Sequence, residues 1–401
     1  MKSLSILFTI FSAARGATAV PPPGPDGKYT LTAEGIRAQV NFVPMSIKWI
    51  GLTGLWQFIP FGAAITNLFV EDKNGVERDI VVGFDNAADY PPSALGHFGE
   101  IPGRYAGRIG NGQYTIDGVT YSTEKNNGNN TLHSGNNGWG FRTFEVVALT
   151  EASITFHIRD ASNSSIGMLG DVDGYISYTL TPKSWKVKMS ATAPDTHKTP
   201  LMLTQHTYWS LDAFSNPTTD LILDHSYYMP FSQRILEPDP NMLPTGQILS
   251  IPEGDINDFW SKPKLVGTDR NSPLWKSNCG DGCEGGYNNC WIVDKLGSQA
   301  TEPVATLSSG WSGIKVDIYT DQVGMQVYSC NWVGDKMPIK KTQGGPGAAT
   351  NGLMKPSGCI ALEAQDWSDG INHPEWGRKQ VYGPGETYIW EATYKFSTLE
   401  D

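Results

Sequence analysis

The sequence has few basic residues and lacks the apolar period of a long helix. Lysine and arginine total 30 against 41 aspartates and glutamates, which gives a formal net charge of -11. Phosphate backbones are bound by clustered basic side chains, so this balance argues against a nucleic acid partner. No segment keeps helical periodicity over roughly twelve residues, and this removes support for βαβ folds and their nucleotide chemistry.

Long apolar runs are also missing after the first nineteen residues. No later segment approaches the ~18 consecutive apolar residues that a membrane-spanning helix needs, so we expect no membrane contact. The first nineteen residues combine a basic start at Lys2, a short apolar stretch and an A-x-A site at 17–19, as a cleavable secretory signal does. We therefore expect residues 1–19 to be a signal peptide, against the alternative of a buried N-terminal helix, and the protein to be secreted and extracellular.

Cysteine is scarce, with five in the chain. Cys279, Cys283 and Cys290 crowd one segment, but they form no C-x-x-C pair and have no histidine within about thirty residues, so the spacing does not fit zinc. In an oxidising compartment disulfide pairing is expected, with one cysteine left over. Two N-x-S/T sequons, at Asn129 and Asn163, agree with a secretory route.

Glycine, proline and aromatic residues are plentiful instead, at 44 glycines, 26 prolines, 13 tryptophans, 16 tyrosines and 15 phenylalanines. Alternating polar and apolar residues rich in β-branched and aromatic side chains predict strands, at residues 154–158, 175–180, 185–191, 314–319, 325–330 and 387–396. Thr181–Ser184 predicts a hairpin between two of them. No linker or repeat divides the chain, so we expect one all-β domain over residues 20–401, a large antiparallel β-sandwich.

Four short stretches hold polar residues that a β core does not need. They are GRYAGRIGNG at 103–112, NNGNNTLHSGNNGWG at 126–140, LTQHTYWSL at 203–211 and CIALEAQDWSDGIN at 359–372. A G-x-G-x-x-G match also begins at Gly280, but it has no strand before it and no helix after it, so a nucleotide loop is rejected. Each polar stretch alone is weak evidence, because a single histidine in an apolar run is more often a core residue.

Taken together and in order, the stretches resemble the aldose 1-epimerase (galactose mutarotase) family. The opening at 71–85 is followed by HFGEIPGRYAGRIGNGQYTIDG, TLHSG, TQHTYWSL, VGMQVYSCNW, ALEAQDWSDGINHP and YGPGETY. The likeness runs from about Asn67 to Phe396, and Arg108 precedes His133 by 25 residues, as the equivalent pair does in the family. This resemblance implies a β-supersandwich and an isomerase that interconverts the α and β anomers of free aldoses.

The resemblance also implies a role for each matching residue. Opening a hemiacetal needs a base at the C1 hydroxyl and an acid at the ring oxygen; the motifs assign these roles to Glu363 and His206. Substrate-binding positions fall on Arg108, His133 and Gln326, and also on Asn288. The expected partner is a small-molecule sugar, with no cofactor and no metal, while the sequence leaves the oligomeric state and the preferred aldose open.

Three departures from the family pattern stand out. Gly107 replaces the asparagine of GRYANRI, and Asn288 stands where an aspartate is expected, an amide that carries no charge. Residues 271–284 form an apparent insertion with two of the cysteines. Four tryptophans lie in or beside the motifs and are expected either to stack on a sugar or to pack in the core, namely Trp139, Trp209, Trp332 and Trp367.

Three other functions compete with mutarotation. A non-catalytic carbohydrate-binding protein could use the same cleft, although both proton-transfer residues are retained. A glycosidase would need a second carboxylate beside Glu363, from Asp366 or Asp369. An epimerase for hexose 6-phosphates is disfavoured by the lack of a further basic cluster.

Two structural predictions follow once these roles are accepted. If Gln326 and Glu363 face each other on neighbouring antiparallel strands, the same register brings Cys330 opposite Cys359, within disulfide reach. Cys279, Cys283 and Cys290 would then supply one local bridge and one free thiol. Because Asn129 lies in the loop of His133, we also expect its side chain to be unmodified or to point away from the cleft, whereas Asn163 is free to carry a glycan.

Overall fold

The computed structural model describes residues 20–40, 43–45, 57–59, 61–91, 96–194, 196–294, 301–333, 337–344 and 352–399. Residues 1–19, and with them the predicted signal peptide, lie outside these ranges. The described residues form strands and short 3-10 helices, and none of their helices is long and apolar enough to cross a membrane.

The strands are, in chain order, β1 Tyr29–Ala33, β2 Ile36–Val40, β3 Val43–Met45, β4 Gln57–Ile59, β5 Ile65–Glu71, β6 Glu77–Asp79, β7 Arg108–Ile109, β8 Gln113–Ile116, β9 Val119–Ser122, β10 Thr131–Leu132, β11 Glu145–Leu149, β12 Ser153–Asp160, β13 Val172–Thr181, β14 Ser184–Thr192, β15 Thr199–Pro200, β16 Tyr208–Trp209, β17 His225–Tyr228, β18 Arg234–Pro238, β19 Pro244–Ser250, β20 Lys264–Leu265, β21 Asn288–Ile292, β22 Ala305–Ser309, β23 Ile314–Thr320, β24 Gly324–Tyr328, β25 Ile360–Gln365, β26 Val381–Tyr382 and β27 Thr387–Thr398. The 3-10 helices are Ala87–Asp89, Gly110–Gly112, Trp139–Phe141, Ile222–Asp224, Pro273–Trp275, Gly370–Asn372 and Pro374–Trp376.

The six predicted strands are confirmed, as β12, β13, β14, β23, β24 and β27. The predicted hairpin is confirmed as well, because Thr181 pairs with Ser184 at the turn between β13 and β14. One boundary was wrong: β24 ends at Tyr328, and Cys330 has a positive φ of 53°. A left-handed residue cannot continue a strand, so the chain leaves the sheet there.

Two large sheets dominate the fold. One has nine strands in the order β11-β12-β13-β14-β27-β23-β22-β17-β20, and the other has six in the order β16-β25-β24-β21-β18-β19. Their paired strands are antiparallel. A four-stranded sheet, β1-β2-β5-β6, is formed by the N-terminal part of the chain.

The main core lies between the two large sheets. Strands β14, β23 and β27 contribute Trp185, Val316 and Trp390, and these share one buried cluster with Met325 and Leu362 of the six-stranded sheet. The indole of Trp390 donates a hydrogen bond of 2.8 Å to the carbonyl of Ala364 and thereby ties the two sheets together. The predicted all-β sandwich is confirmed by this arrangement.

Alternation along the strands decides what the opposite face of the six-stranded sheet carries. Since Leu362 and Ala364 of β25 point into the core, Glu363 and Gln365 point to the other face. The same reasoning sends Gln326 of β24 outward, because Met325 is a core residue. The sheet therefore presents a row of polar side chains on the face that turns away from the sandwich core.

Candidate active site

A cavity of about 440 Å³ opens on this outer face of the six-stranded sheet. All six residues that the sequence predicts for the site line it, namely Arg108, His133, His206, Asn288, Gln326 and Glu363. They come from separate segments of the chain, and the fold brings all of them together.

The strand register places three of the six. Gln326 of β24 stands opposite Glu363 of β25, and Asn288 of β21 stands opposite Tyr328, two residues further along β24. Side chains of residues two apart share a face, so all these groups point into the cavity. The Gln326 amide nitrogen donates a 3.0 Å hydrogen bond to the Asn288 side-chain oxygen, which fixes both amides side by side.

His206 reaches the cavity from the segment just before β16. Backbone bonds hold this segment, with the His206 N–H donating to the carbonyl of Glu100 and its own carbonyl accepting from Gly99. The His206 Nε2 atom lies 3.3 Å from a carboxylate oxygen of Glu363. Nδ1 of the same ring is buried and has no hydrogen-bond partner among the described residues. Two side chains that can exchange protons therefore face the same small volume.

Arg108 and His133 come from the paired short strands β7 and β10 and the turn after them. The backbone N–H of Gly107 donates to Nδ1 of His133 at 3.1 Å, so a neutral His133 keeps its own proton on Nε2 as a donor. Arg108 is oriented by its Nε bond of 3.2 Å to the side chain of Asn127. Arg104, the other arginine of this motif, is wholly buried against Asp160 and supports the loop.

Burial governs the protonation of the site. It raises the pKa of Glu363 to about 8, an effect that the charge of Arg108 partly opposes. Burial likewise lowers the pKa of His206 well below its ordinary value, helped by the nearby His97, and it does the same to the pKa of His133. At neutral pH the cavity therefore holds a protonated Glu363 and neutral imidazoles, and the His206–Glu363 pair carries one proton that the two groups can exchange.

The sequence of the chain matches a known protein family over most of its length. The sequence model of the aldose 1-epimerases covers residues 53–395. The chain belongs to the aldose 1-epimerase family. A protein of Arthroderma benhamiae named a probable aldose 1-epimerase is 36% identical over 376 residues, which is 85% of this chain and 83% of that protein.

Two further relatives support the assignment. The galactose mutarotase of Bos taurus is 31% identical over 342 residues, which is 84% of this chain and 90% of that protein. A crystal structure of the GalM/aldose epimerase homologue from C. elegans superposes with a TM-score of 0.74 at 26% identity, covering 93% of this chain and 99% of that one. The family resemblance drawn from the motifs and the expected fold are both confirmed.

Sequence reasoning missed several residues that line the cavity of this aldose 1-epimerase family member. His97, Tyr208, Tyr328 and Gln365 also contribute to its wall. Both amide atoms of Gln365 are buried and lack a hydrogen-bond partner among the described residues. Strand alternation would have found Gln365, which is two residues from Glu363, whereas His97 opens the motif HFGEIPGRYAGRIGNGQYTIDG, to which the resemblance gives no role at this position.

The four tryptophans in or beside the motifs lie in different environments. Trp139 and Trp209 are fully buried, and Trp367 packs in a smaller cluster beside the site. Only Trp332 of the four lines the cavity, and it is 53% exposed. Core packing thus explains three of them, and one is left as a candidate stacking surface.

The cysteine predictions are confirmed. Cys330 and Cys359 form a disulfide with Cα atoms 5.5 Å apart, just beyond the ladder in which Gln326 faces Glu363. Cys279 and Cys283 form the local bridge, and Cys290 is a buried free thiol. The register that assembles the site therefore also sets the long-range disulfide.

The carboxylates proposed for a glycosidase point elsewhere. Asp366 pairs with Arg378, and Asp369 accepts a hydrogen bond from the backbone of Gly110. Among the described residues that line the cavity, Glu363 is the one carboxylic acid. A pair of carboxylates flanking a glycosidic bond, as hydrolysis requires, is not formed by the described residues.

Among the described residues, His133, His206 and Glu363 also form a group that could hold a metal ion, with ligand atoms all within 4.8 Å of one another. Two neutral imidazoles and a carboxylate are a donor set that zinc accepts. The roles that the family resemblance implies, proton transfer for Glu363 and His206 and sugar binding for His133, use each of these groups, and the expectation of a metal-free site stays a prediction.

Proposed function

We propose that this chain interconverts the α and β anomers of free aldoses, with Glu363 as the base and His206 as the acid. The observation that carries the proposal is the 3.3 Å contact between the two side chains inside a cavity of sugar-binding size. Membership of the aldose 1-epimerase family supports it. Glu363 takes the proton of the C1 hydroxyl while His206 gives one to the ring oxygen, and the ring opens to an aldehyde.

The protons of the pair balance over one turnover. The resting pair carries one exchangeable proton, on Glu363, and transfer of this proton across the 3.3 Å contact to His206 gives the carboxylate and imidazolium that open the ring. After ring opening the carboxyl group is again protonated and the imidazole is neutral. Rotation about the C1–C2 bond turns the aldehyde, and the reverse transfers close the ring on the other face. Burial disfavours the ionic form, because it raises the pKa of Glu363 and lowers the pKa of His206, while the charge of Arg108 favours the carboxylate.

Four other side chains have the chemistry to hold the sugar. The guanidinium of Arg108 offers a planar set of donors, and its charge stabilises the Glu363 carboxylate. His133 offers Nε2–H as a donor. The paired amides of Gln326 and Asn288 both donate and accept, as sugar hydroxyls do.

Polarimetry of freshly dissolved α-D-glucose and α-D-galactose tests the proposal. The parent should accelerate the change in rotation, and His206→Asn should lower kcat by ~10² or more, the usual scale for a positioned proton-transfer group. His157→Asn is the matched control, because His157 pairs with Asp173 on the nine-stranded sheet, outside the cavity. Sugar binding without acceleration by the parent would instead favour the carbohydrate-binding alternative.

The proposal extends to location. A signal-like start at residues 1–19 and two disulfides among the described residues support secretion. Asn129 is exposed although its neighbour Asn127 lines the cavity, in keeping with a side chain directed away from the sugar. N-terminal sequencing of protein recovered from a culture medium should begin near Val20; recovery only from cell contents would contradict secretion.

A further inference from the structure

His97 forms a second histidine–carboxylate pair in the cavity wall. Its Nδ1 atom lies 3.1 Å from a carboxylate oxygen of Glu100, and this glutamate is 2% exposed. The imidazole keeps 14% of its side-chain surface exposed and lines the same cavity as Glu363 and His206. No described residue is bonded to its Nε2 atom.

The surroundings hold the ring in one place. The imidazole of His97 packs against the rings of Phe141 and His133, at centroid distances of 4.4 and 4.7 Å. The ring of His206 is 5.8 Å away. Because neighbouring rings pack against the imidazole and Glu100 engages Nδ1, the remaining polar atom of His97 has a fixed direction.

The backbone is shaped to admit the pair. A Cβ atom at Gly140 would lie 2.9 Å from Nδ1 of His97 and 3.0 Å from a Glu100 oxygen. A Cβ atom at Gly62, where φ is +62°, would lie 2.7 Å from the Glu100 side chain. Cβ atoms essentially never make contacts shorter than 3.0 Å, so the two glycines leave the space that the pair occupies.

Burial of the Glu100 carboxyl group is costly, since a buried carboxyl group without a charged or hydrogen-bonded partner destabilises the folded state. Burial raises the pKa of Glu100 to about 7, against the opposing influence of His97. A carboxylate bonded to one nitrogen of an imidazole fixes its tautomer and orientation, as it does for metal-bound and catalytic histidines.

We propose that His97, oriented by Glu100, is a further substrate-binding residue whose Nε2 atom hydrogen-bonds a hydroxyl group of the aldose. When Glu100 is ionised it accepts the Nδ1 proton, and Nε2 is an acceptor; when Glu100 is protonated, Nε2 carries the proton and donates. A hydroxyl group serves either form, because it both donates and accepts. The inference rests on the proposed function, since it concerns the same sugar. Glu100 touches no substrate in this scheme and acts as a positioning residue.

The test compares three variants on α-D-glucose: His97→Phe, Glu100→Gln and the double variant. His97→Phe keeps an aromatic ring against Phe141, and we expect kcat/KM to fall about 10-fold, mainly through KM. Glu100→Gln retains an acceptor for Nδ1, so a loss of about 3-fold is expected. In the His97→Phe background Glu100→Gln should have no further effect, because Glu100 acts only through His97.

His373→Phe is the matched control. His373 makes the same kind of Nδ1 contact, 2.8 Å to Glu375, but it does not line this cavity, so parent-like kcat/KM is expected. A folded His97→Phe protein within twofold of the parent, or additive losses in the double variant, would overturn the proposal. If His97→Phe fails to fold, His97→Asn replaces it with the same expectation.

The same experiments distinguish a failure of the His97 proposal from a failure of the proposed function. If the parent does not accelerate mutarotation, the proposed function fails, and calorimetric titration with glucose then takes the place of kinetics. A 10-fold weaker Kd in His97→Phe would still support the contact, and an unchanged Kd would refute it.

Discussion

Replacing Glu363 by glutamine should remove activity and at the same time make the protein more stable at alkaline pH. The substitution keeps the shape of the side chain but removes the group that takes the C1 proton, so kcat should fall by ~10² or more. The effect on stability follows from the burial of Glu363, which is 2% exposed. A residue with a merely structural role would not produce both effects.

The size of the stability effect follows from the pKa of Glu363. Burial raises the pKa of Glu363 from 4.5 to about 8. Between these values the folded protein holds a proton that the unfolded chain has released, so stability is lost as pH rises through this interval. The loss is about 5 kcal/mol over the whole titration and about 1 kcal/mol between pH 7 and 8, where the folded protein itself begins to release the proton and the neighbouring His206 is already neutral. Glutamine does not titrate, so in the variant the free energy of unfolding lacks this contribution to its dependence on pH.

Urea unfolding at closely spaced pH values, with polarimetry on the same samples, measures both effects. The difference in unfolding free energy between the variant and the parent should grow with pH up to about 8 and stay constant above it. Glu71→Gln serves as the control, because this glutamate is exposed at the end of β5 and should produce no such divergence. Unfolding curves for Glu363→Gln and parent that differ by the same amount at every pH, or a parent-like kcat, would refute the reasoning.

Four further outcomes are expected. The kcat/KM of the parent should fall about tenfold per pH unit above about 8, as the free enzyme loses the proton of Glu363; a flat profile to pH 10 would contradict this. Asn288→Asp should change the ratio of kcat/KM between glucose and galactose, by a factor equivalent to ~1 to 3 kcal/mol. An unchanged ratio would show that Asn288 does not contact the sugar. A Cys330→Ala, Cys359→Ala double variant should lose roughly 3–4 kcal/mol of stability for a 29-residue separation, measured by denaturant titration. Asn163, which is exposed, should carry a glycan in secreted protein, as intact-mass analysis before and after deglycosylation would show.

Local patterns in the chain were sufficient for the strands and for much of the site. Period-two alternation located β12, β13 and β14 because each has one face in the core and one outside, and the hairpin at Thr181–Ser184 follows from the turn between two such runs. The motifs located Glu363 and His206, and strand register then linked the site to the disulfide of Cys330 and Cys359.

Tertiary structure decided what no local pattern contains. His97 and Glu100 lie three residues apart in one of the motifs, but the motif does not show that they pair, and the packing of His133, Phe141 and His206 against His97 exists only in the folded protein. Burial depends on the whole fold as well, so the raised pKa of Glu363 could not be anticipated from its neighbours in the chain. The sequence by itself determined which residue types carry the chemistry and on which strand face they lie, because side-chain alternation is a local property. Distances between segments, and the exclusion of water that shifts their proton affinities, arise only when the two sheets close on a common core.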